Sequence, residues 1–303
     1  MKSRFLLPNQ LRPFGWILAL PGFVLGYLVI YRDYEIPGFG FSVRPKSHFF
    51  HGSLYQGLTN TLALTLVIVG LFIVAFSKEK KEDELTARMR QNALYWAVLA
   101  NYVMYLVWLL VNVVISVFKL NSDGLGSFND MAAMCTYNLF TPLAIFIARY
   151  YYLRYSKNGE YKVDKLFYLP AKPYKLIGQL ISVPLLLIIL FAFTGSLFFN
   201  GDIDPKDWVE DLFLLLPATL LVWGYSRQRN EDEFVSTLRL ESMQIAVYVN
   251  YAILLLANFF FYFTDFLLVM FLNLGTIALF FIIRFNYILW KYNKENMKGT
   301  LAL

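Results

Sequence analysis

Apolar residues fill eight stretches of the chain, at residues 14–30, 59–76, 93–118, 131–150, 176–199, 208–225, 243–263 and 266–289. Each comes close to the ~20 residues that a helix needs to cross a hydrocarbon layer of about 30 Å. The polar joints between them are short. The last, at Thr264 and Asp265, predicts a tight antiparallel hairpin. The pattern predicts an all-α fold, a polytopic membrane bundle of about eight transmembrane helices.

One polar-to-apolar junction occurs twice. Residues 82–102, EDELTARMRQNALYWAVLANY, align without a gap to residues 231–251, EDEFVSTLRLESMQIAVYVNY. The identities are Glu82/Glu231, Asp83/Asp232, Glu84/Glu233, Arg90/Arg239, Ala97/Ala246, Val98/Val247, Asn101/Asn250 and Tyr102/Tyr251. Upstream, Pro8, Gly15, Pro21 and Ser77 recur as Pro170, Gly178, Pro184 and Ser226. Downstream, Asn138, Thr141, Phe146, Arg149 and Tyr152 recur as Asn273, Thr276, Phe281, Arg284 and Tyr287. Matches in this order predict two four-helix halves, residues 1–168 and 169–303. An even number of spans per half gives both the same orientation, so the expected relation is a parallel 4+4 repeat with its pseudo-two-fold along the membrane normal.

Composition narrows the class. Hydrophobic residues make up 58% of the chain and charged residues only 16%, with a mean hydropathy of +0.51, which excludes an ordinary soluble domain. The net charge of +6 has no basic surface domain to carry it, so the expected partner is the lipid bilayer and not nucleic acid. Cys135 is the one cysteine, which rules out an intramolecular disulfide and a thiolate metal site. The basic start before the first apolar run has the look of a signal peptide, but no small-x-small cleavage site follows it. Of the 27 Lys and Arg residues, 22 fall in the N-terminal segment and in alternate joints after it. By the positive-inside bias, both termini and both acidic junctions face the cytoplasm.

Candidate chemistry is sparse. His48 and His51 share a polar loop, but no cysteine or second carboxylate accompanies them, and they read as loop histidines. Helical spacing puts Asp83, Arg90, Ala97 and Asn101 on one stripe, and Asp232, Arg239, Ala246 and Asn250 on its copy. Asn138 precedes Arg149 by the same interval at which Asn101 follows Arg90. An antiparallel pair of helices would therefore bring Asn101 level with Asn138, and the acidic cluster and Arg90 level with Arg149. The second half would do the same with Asn250, Asn273, Arg239 and Arg284. The expectation is a two-rung polar ladder in each half, with an amide pair at mid-membrane and a carboxylate–arginine pair at the surface. Such groups serve either as packing contacts or as the lining of a midplane site at a repeat interface.

The acidic residues Glu82, Asp83, Glu84, Glu231, Asp232 and Glu233 are candidates for docking a cytoplasmic protein. The plainer reading is a solvated, charge-paired collar. No Walker A loop, Gly-x-Ser-x-Gly elbow or His-Glu-x-x-His helix occurs, so neither an enzyme nor a cofactor is expected. The spans carry charges only near their ends, which weakens an ion-coupled carrier.

The duplicated signature Ser77-Lys78-Glu79-Lys80-Lys81-Glu82-Asp83-Glu84…Arg90 and Ser226-Arg227-Gln228-Arg229-Asn230-Glu231-Asp232-Glu233…Arg239, with Arg284-Phe285-Asn286-Tyr287, resembles a group of uncharacterised bacterial multi-pass membrane proteins. That resemblance implies a bacterial inner-membrane location. Two functions remain: a non-enzymatic sensory or regulatory protein that relays to a cytoplasmic partner through the acidic junctions, or a transporter or flippase of a neutral or lipid-like solute through the asparagines.

Overall fold

The computed structural model describes residues 6–43, 54–80, 83–118, 134–156, 166–198, 207–228, 231–261 and 264–301. The architecture is helical. In chain order the long helices are α1 (Arg12–Arg32), α2 (Thr59–Phe76), α3 (Glu84–Phe118), α4 (Thr141–Ser156), α5 (Tyr174–Phe198), α6 (Asp207–Gly224), α7 (Glu233–Phe260) and α8 (Thr264–Leu301). One antiparallel hairpin, β1 (Gly40–Val43) with β2 (Leu54–Gly57), lies between α1 and α2 and pairs Gly40 with Gly57. His48 and His51 lie outside the described residues, as does Glu82.

Six helices, α1, α2, α3, α5, α7 and α8, are long and apolar enough to cross a membrane by length and composition. Among the described residues, the fourth and sixth apolar runs do not reach that length. In the fourth, the helix breaks at Leu139 and Phe140, and α4 begins only at Thr141. Pro142 has no N–H to bond back to the carbonyl of Asn138, so the helix restarts there. The matching residue in α8 is Ile277, and α8 runs through without a break. The described apolar part of α6 is the short segment Leu214–Gly224.

α1 lies against α2 at very close range because small residues face each other. A side chain on Gly70 would begin 2.5 Å from the Ala19 nitrogen, and one on Gly15 would begin 2.9 Å from the Gly70 oxygen. α5 approaches α6 likewise, with Gly178 against the Trp223 backbone at 2.7 Å. In lipid, where apolar burial drives little association, such backbone approach provides the dispersion contact that holds helices together.

The start of each of these helix pairs is tied to its end. Leu7 donates to the Phe76 carbonyl and accepts from Lys78, both at 2.9 Å. Leu169 makes the same two bonds, with Tyr225 and Arg227, also at 2.9 Å. The hydroxyls of Ser77 and Ser226 each return to the carbonyl four residues earlier, those of Ile73 and Val222, at 2.5 Å. These bonds satisfy carbonyls that a helix end would otherwise leave open.

α3 and α7 touch each other. α3 packs on α4 and α7 on α8; α2 meets α4 and α6 meets α8. Across the middle, α2 meets α7 and α3 meets α6. The largest buried side chains include Tyr95, Tyr105, Tyr225, Tyr251, Phe76, Phe146 and Phe281. Tyr95 and Tyr225 rings lie 4.7 Å apart across the α3–α6 contact, and Phe76 and Tyr248 rings 4.5 Å apart across the α2–α7 contact.

Candidate functional site

The bundle interior brings the asparagines together in pairs. Asn101 on α3 donates its amide to Asn138 Oδ1 at 2.6 Å. On the other side, Asn273 donates to Asn250 Oδ1 at 3.3 Å, and the Thr276 hydroxyl donates to the same oxygen. All four asparagines are 6% exposed or less. An amide with no partner is costly in an apolar interior, so each pair satisfies itself. One residue beyond Asn101 and beyond Asn250 stands a tyrosine. The Tyr102 hydroxyl accepts the Ala278 N–H at 3.1 Å. The Tyr251 hydroxyl faces the Leu143 N–H, outside full hydrogen-bonding geometry.

In the second half the arginine that meets the acidic cluster is Arg239. Arg239 is completely buried. Its Nε lies 3.2 Å from Glu231 Oε1 and its Nη2 3.2 Å from Glu231 Oε2. Its Nη1 donates to the Gly224 carbonyl at 2.7 Å and its Nη2 to the Ser226 carbonyl at 3.2 Å. The rings of Tyr168 and Phe285 lie 4.9 and 4.7 Å from the guanidinium. The carboxylate–arginine pair therefore forms within one junction, because the segment before α7 folds back over the second turn of that helix. Arg284 on α8 is half-buried and has no ion pair among the described residues. In the first half Arg90 is buried and lies over Tyr150, the residue matching Phe285, at 5.4 Å. Arg149 lies over Trp96 at 5.3 Å.

The acidic residues divide by role. Asp83 Oδ1 accepts the Thr86 N–H and Asp232 Oδ1 the Val235 N–H, each at 2.7 Å, so both carboxylates cap helices. Hydrogen bonds from the Thr86 side chain and backbone hold the Asp83 carboxyl below its ordinary value of 3.8. Glu231 is committed to Arg239 and to the Gln228 N–H at 2.8 Å. Glu84 and Glu233 remain open to solvent, with side chains 56% and 87% exposed. Arg88 lies between them, 3.1 Å from Glu84 and 3.6 Å from Glu233.

A further cluster has no counterpart in the sequence expectations. Glu79, just past α2, has a side chain only 9% exposed. Its Oε1 accepts from Arg12 Nη1 at 2.8 Å and from the Tyr150 hydroxyl at 3.1 Å, and its Oε2 lies 3.7 Å from Arg154. Arg12 also donates to the Tyr151 hydroxyl at 2.8 Å. The residue that matches Glu79 in the second half is Gln228, so comparison of the two junctions gives no sign of it. Among the described residues no group of three or more His, Cys, Asp or Glu is placed to hold a metal ion. Comparison with protein-family models, curated proteins and solved structures finds no match.

Proposed function

We propose that the chain is a non-enzymatic regulatory protein of a bacterial cytoplasmic membrane, docking a soluble partner through the paired ends of α3 and α7. Eight spans in two parallel halves, with both termini cytoplasmic, form the scaffold of this reading. The reciprocal contacts Tyr102–Ala278 and Tyr251–Leu143 support the two-fold relation. Residues 102 and 251 are matched, and so are 278 and 143, as self-complementary packing requires.

The observation that carries docking is Arg88 lying between Glu84 and Glu233. It joins the two acidic ends into one exposed patch, on the face that the Lys and Arg distribution assigns to the cytoplasm. The solute-transport reading needs the four asparagines to face a ligand. Their amides are instead spent on each other in a nearly solvent-free interior, which favours a packing role.

The test is co-purification after gentle solubilisation, comparing wild type with the Glu84→Lys/Glu233→Lys variant. A soluble protein retained by wild type and lost from a variant of unchanged elution and melting temperature supports docking. If no protein is retained, and a small solute comes down with wild type but not with the Asn101→Leu/Asn138→Leu variant, transport takes its place.

A further inference from the structure

At the end of the bundle that carries the Leu7–Ser77 bridge, α1, the segment after α2 and the end of α4 enclose an open groove of about 540 Å³. Arg12, Lys80 and Arg154 line it, with Glu79 between them. Three cations against one carboxylate leave two positive charges unmatched among the lining groups. Glu79 is already shared by Arg12 and Arg154, at 2.8 and 3.7 Å. Arg154 has no shorter polar contact among the described residues, and its donor fork remains available. A helix also begins here: Asn9 and Pro13 line the groove, so the positive end of the α1 dipole adds to the field.

The fold does not need the guanidinium of Arg154. At the matching place in the second half, Lys175 donates to Gln228 at 2.7 Å where Arg12 pairs with Glu79. Leu289 stands for Arg154, Asn286 for Tyr151 and Gln179 for Trp16. By sequence Arg229 keeps the charge of Lys80, so what the second half lacks is Arg154 and the carboxylate of Glu79. The Arg154 guanidinium thus belongs to one half only, and it lines the groove.

We propose that this groove binds one phosphate-bearing anion, presented by the headgroup of an acidic phospholipid. Paired guanidiniums suit phosphate oxygens because their donors match its geometry, and basic pockets between membrane helices are suited to acidic headgroups. A free phosphate ester offers the same chemistry. The surroundings favour lipid: Trp16 and Tyr155, 38% and 69% exposed, flank the groove, as aromatics at a membrane interface do. From Trp16, the exposed apolar face of α1 (Ile17, Leu20, Val24) runs away from the groove and offers a track for acyl chains. The proposal does not depend on partner docking.

The experiment uses the full chain in nanodiscs of phosphatidylcholine mixed with phosphatidylglycerol, followed by native mass spectrometry of retained lipid. Wild type should keep phosphatidylglycerol in preference to phosphatidylcholine. Lys80→Gln/Arg154→Gln should lower that preference by about tenfold or more, given the contribution of each cation near a headgroup. Lys291→Gln/Lys294→Gln, which removes the same charge from the far end of α8, should leave it unchanged. Arg12 is left alone because it also anchors Tyr151, and Lys80→Gln alone, at an exposed residue, serves if the double variant does not fold. In discs of phosphatidylcholine only, inorganic phosphate that raises the melting temperature of wild type but not of the groove variant would assign the site to a soluble anion and overturn the lipid assignment. Equal lipid retention by all variants, with no response to phosphate, would overturn the site altogether.

Discussion

Tyr102 on α3 accepts the backbone N–H of Ala278 on α8 at 3.1 Å, a contact 176 residues apart in sequence. Both ends are buried, and the bond reaches from one half of the chain into the other. Tyr251 on α7 faces Leu143 on α4 in the mirror sense. The Tyr102→Phe variant removes a bonded hydroxyl and should lose about 1 kcal/mol in detergent unfolding. Tyr251→Phe removes a hydroxyl without a full hydrogen bond and should lose less. Equal losses would show that ring packing, and not the bond, decides.

The amide pair Asn101–Asn138 should behave as a unit. Either single leucine substitution strands one buried amide and should cost about 1–3 kcal/mol. The double substitution strands none, so its cost should fall short of the sum. A double-mutant cycle should give a coupling near 0.6 kcal/mol and not above about 2. A coupling of zero would mean that the two amides are not joined in the folded protein.

Gly70→Val places atoms where the α1 backbone already lies, 2.5 Å from Ala19. Overpacking of this kind should lower stability by about 1–3 kcal/mol. Gly26 has no atom within 4 Å of the corresponding position, so Gly26→Ala should hold or raise the melting temperature through helix propensity. Melting curves of the two variants side by side check the α1–α2 approach.

Arg239→Met leaves Glu231 as a buried carboxylate without its cation and should cost about 3–5 kcal/mol. Changing both, as Arg239→Met/Glu231→Leu, removes the stranded charge and should recover part of that loss. Unfolding of the single and double variants in detergent measures the recovery; a double variant no more stable than the single would place the cost in the guanidinium's bonds to the Gly224 and Ser226 carbonyls.

Asp83 supplies a pH response. Its folded carboxyl is depressed below 3.8 by the hydrogen bonds of Thr86, so its contribution is fully present above that value and is lost as pH falls through the lower folded value. The side chain is largely solvated, which keeps the effect small. The Thr86 amide resonance should titrate below pH 3.8 in wild type and should not do so in Asp83→Asn.

Much of the scaffold could be read from residue order, because apolar run length and a recurring junction both act locally. The helices at residues 59–76 and 93–118, and the candidate pairs of asparagines, follow from spacing alone. The break before α4 follows from Pro142, a residue that an apolar run conceals. Spacing also led towards Arg284 as a partner of the second acidic cluster, whereas Arg239 takes Glu231 from its own junction. Sequence interval cannot show a segment folding back on its helix. Nor could it show Glu79 between Arg12 and Arg154, since those three residues meet only after α1, α2 and α4 have packed.

Arg88 reaches Glu84 on its own helix and Glu233 on the neighbouring one. Residue 237, which matches Arg88, is a threonine. Two identical subunits facing each other here would set arginine against arginine, or crowd like carboxylates, because whatever one contributes the other must contribute too. A single chain that contains both sides escapes that rule. Because Glu84, Arg88 and Glu233 belong to one chain, Arg88 bridges the seam without a second arginine at the matching place.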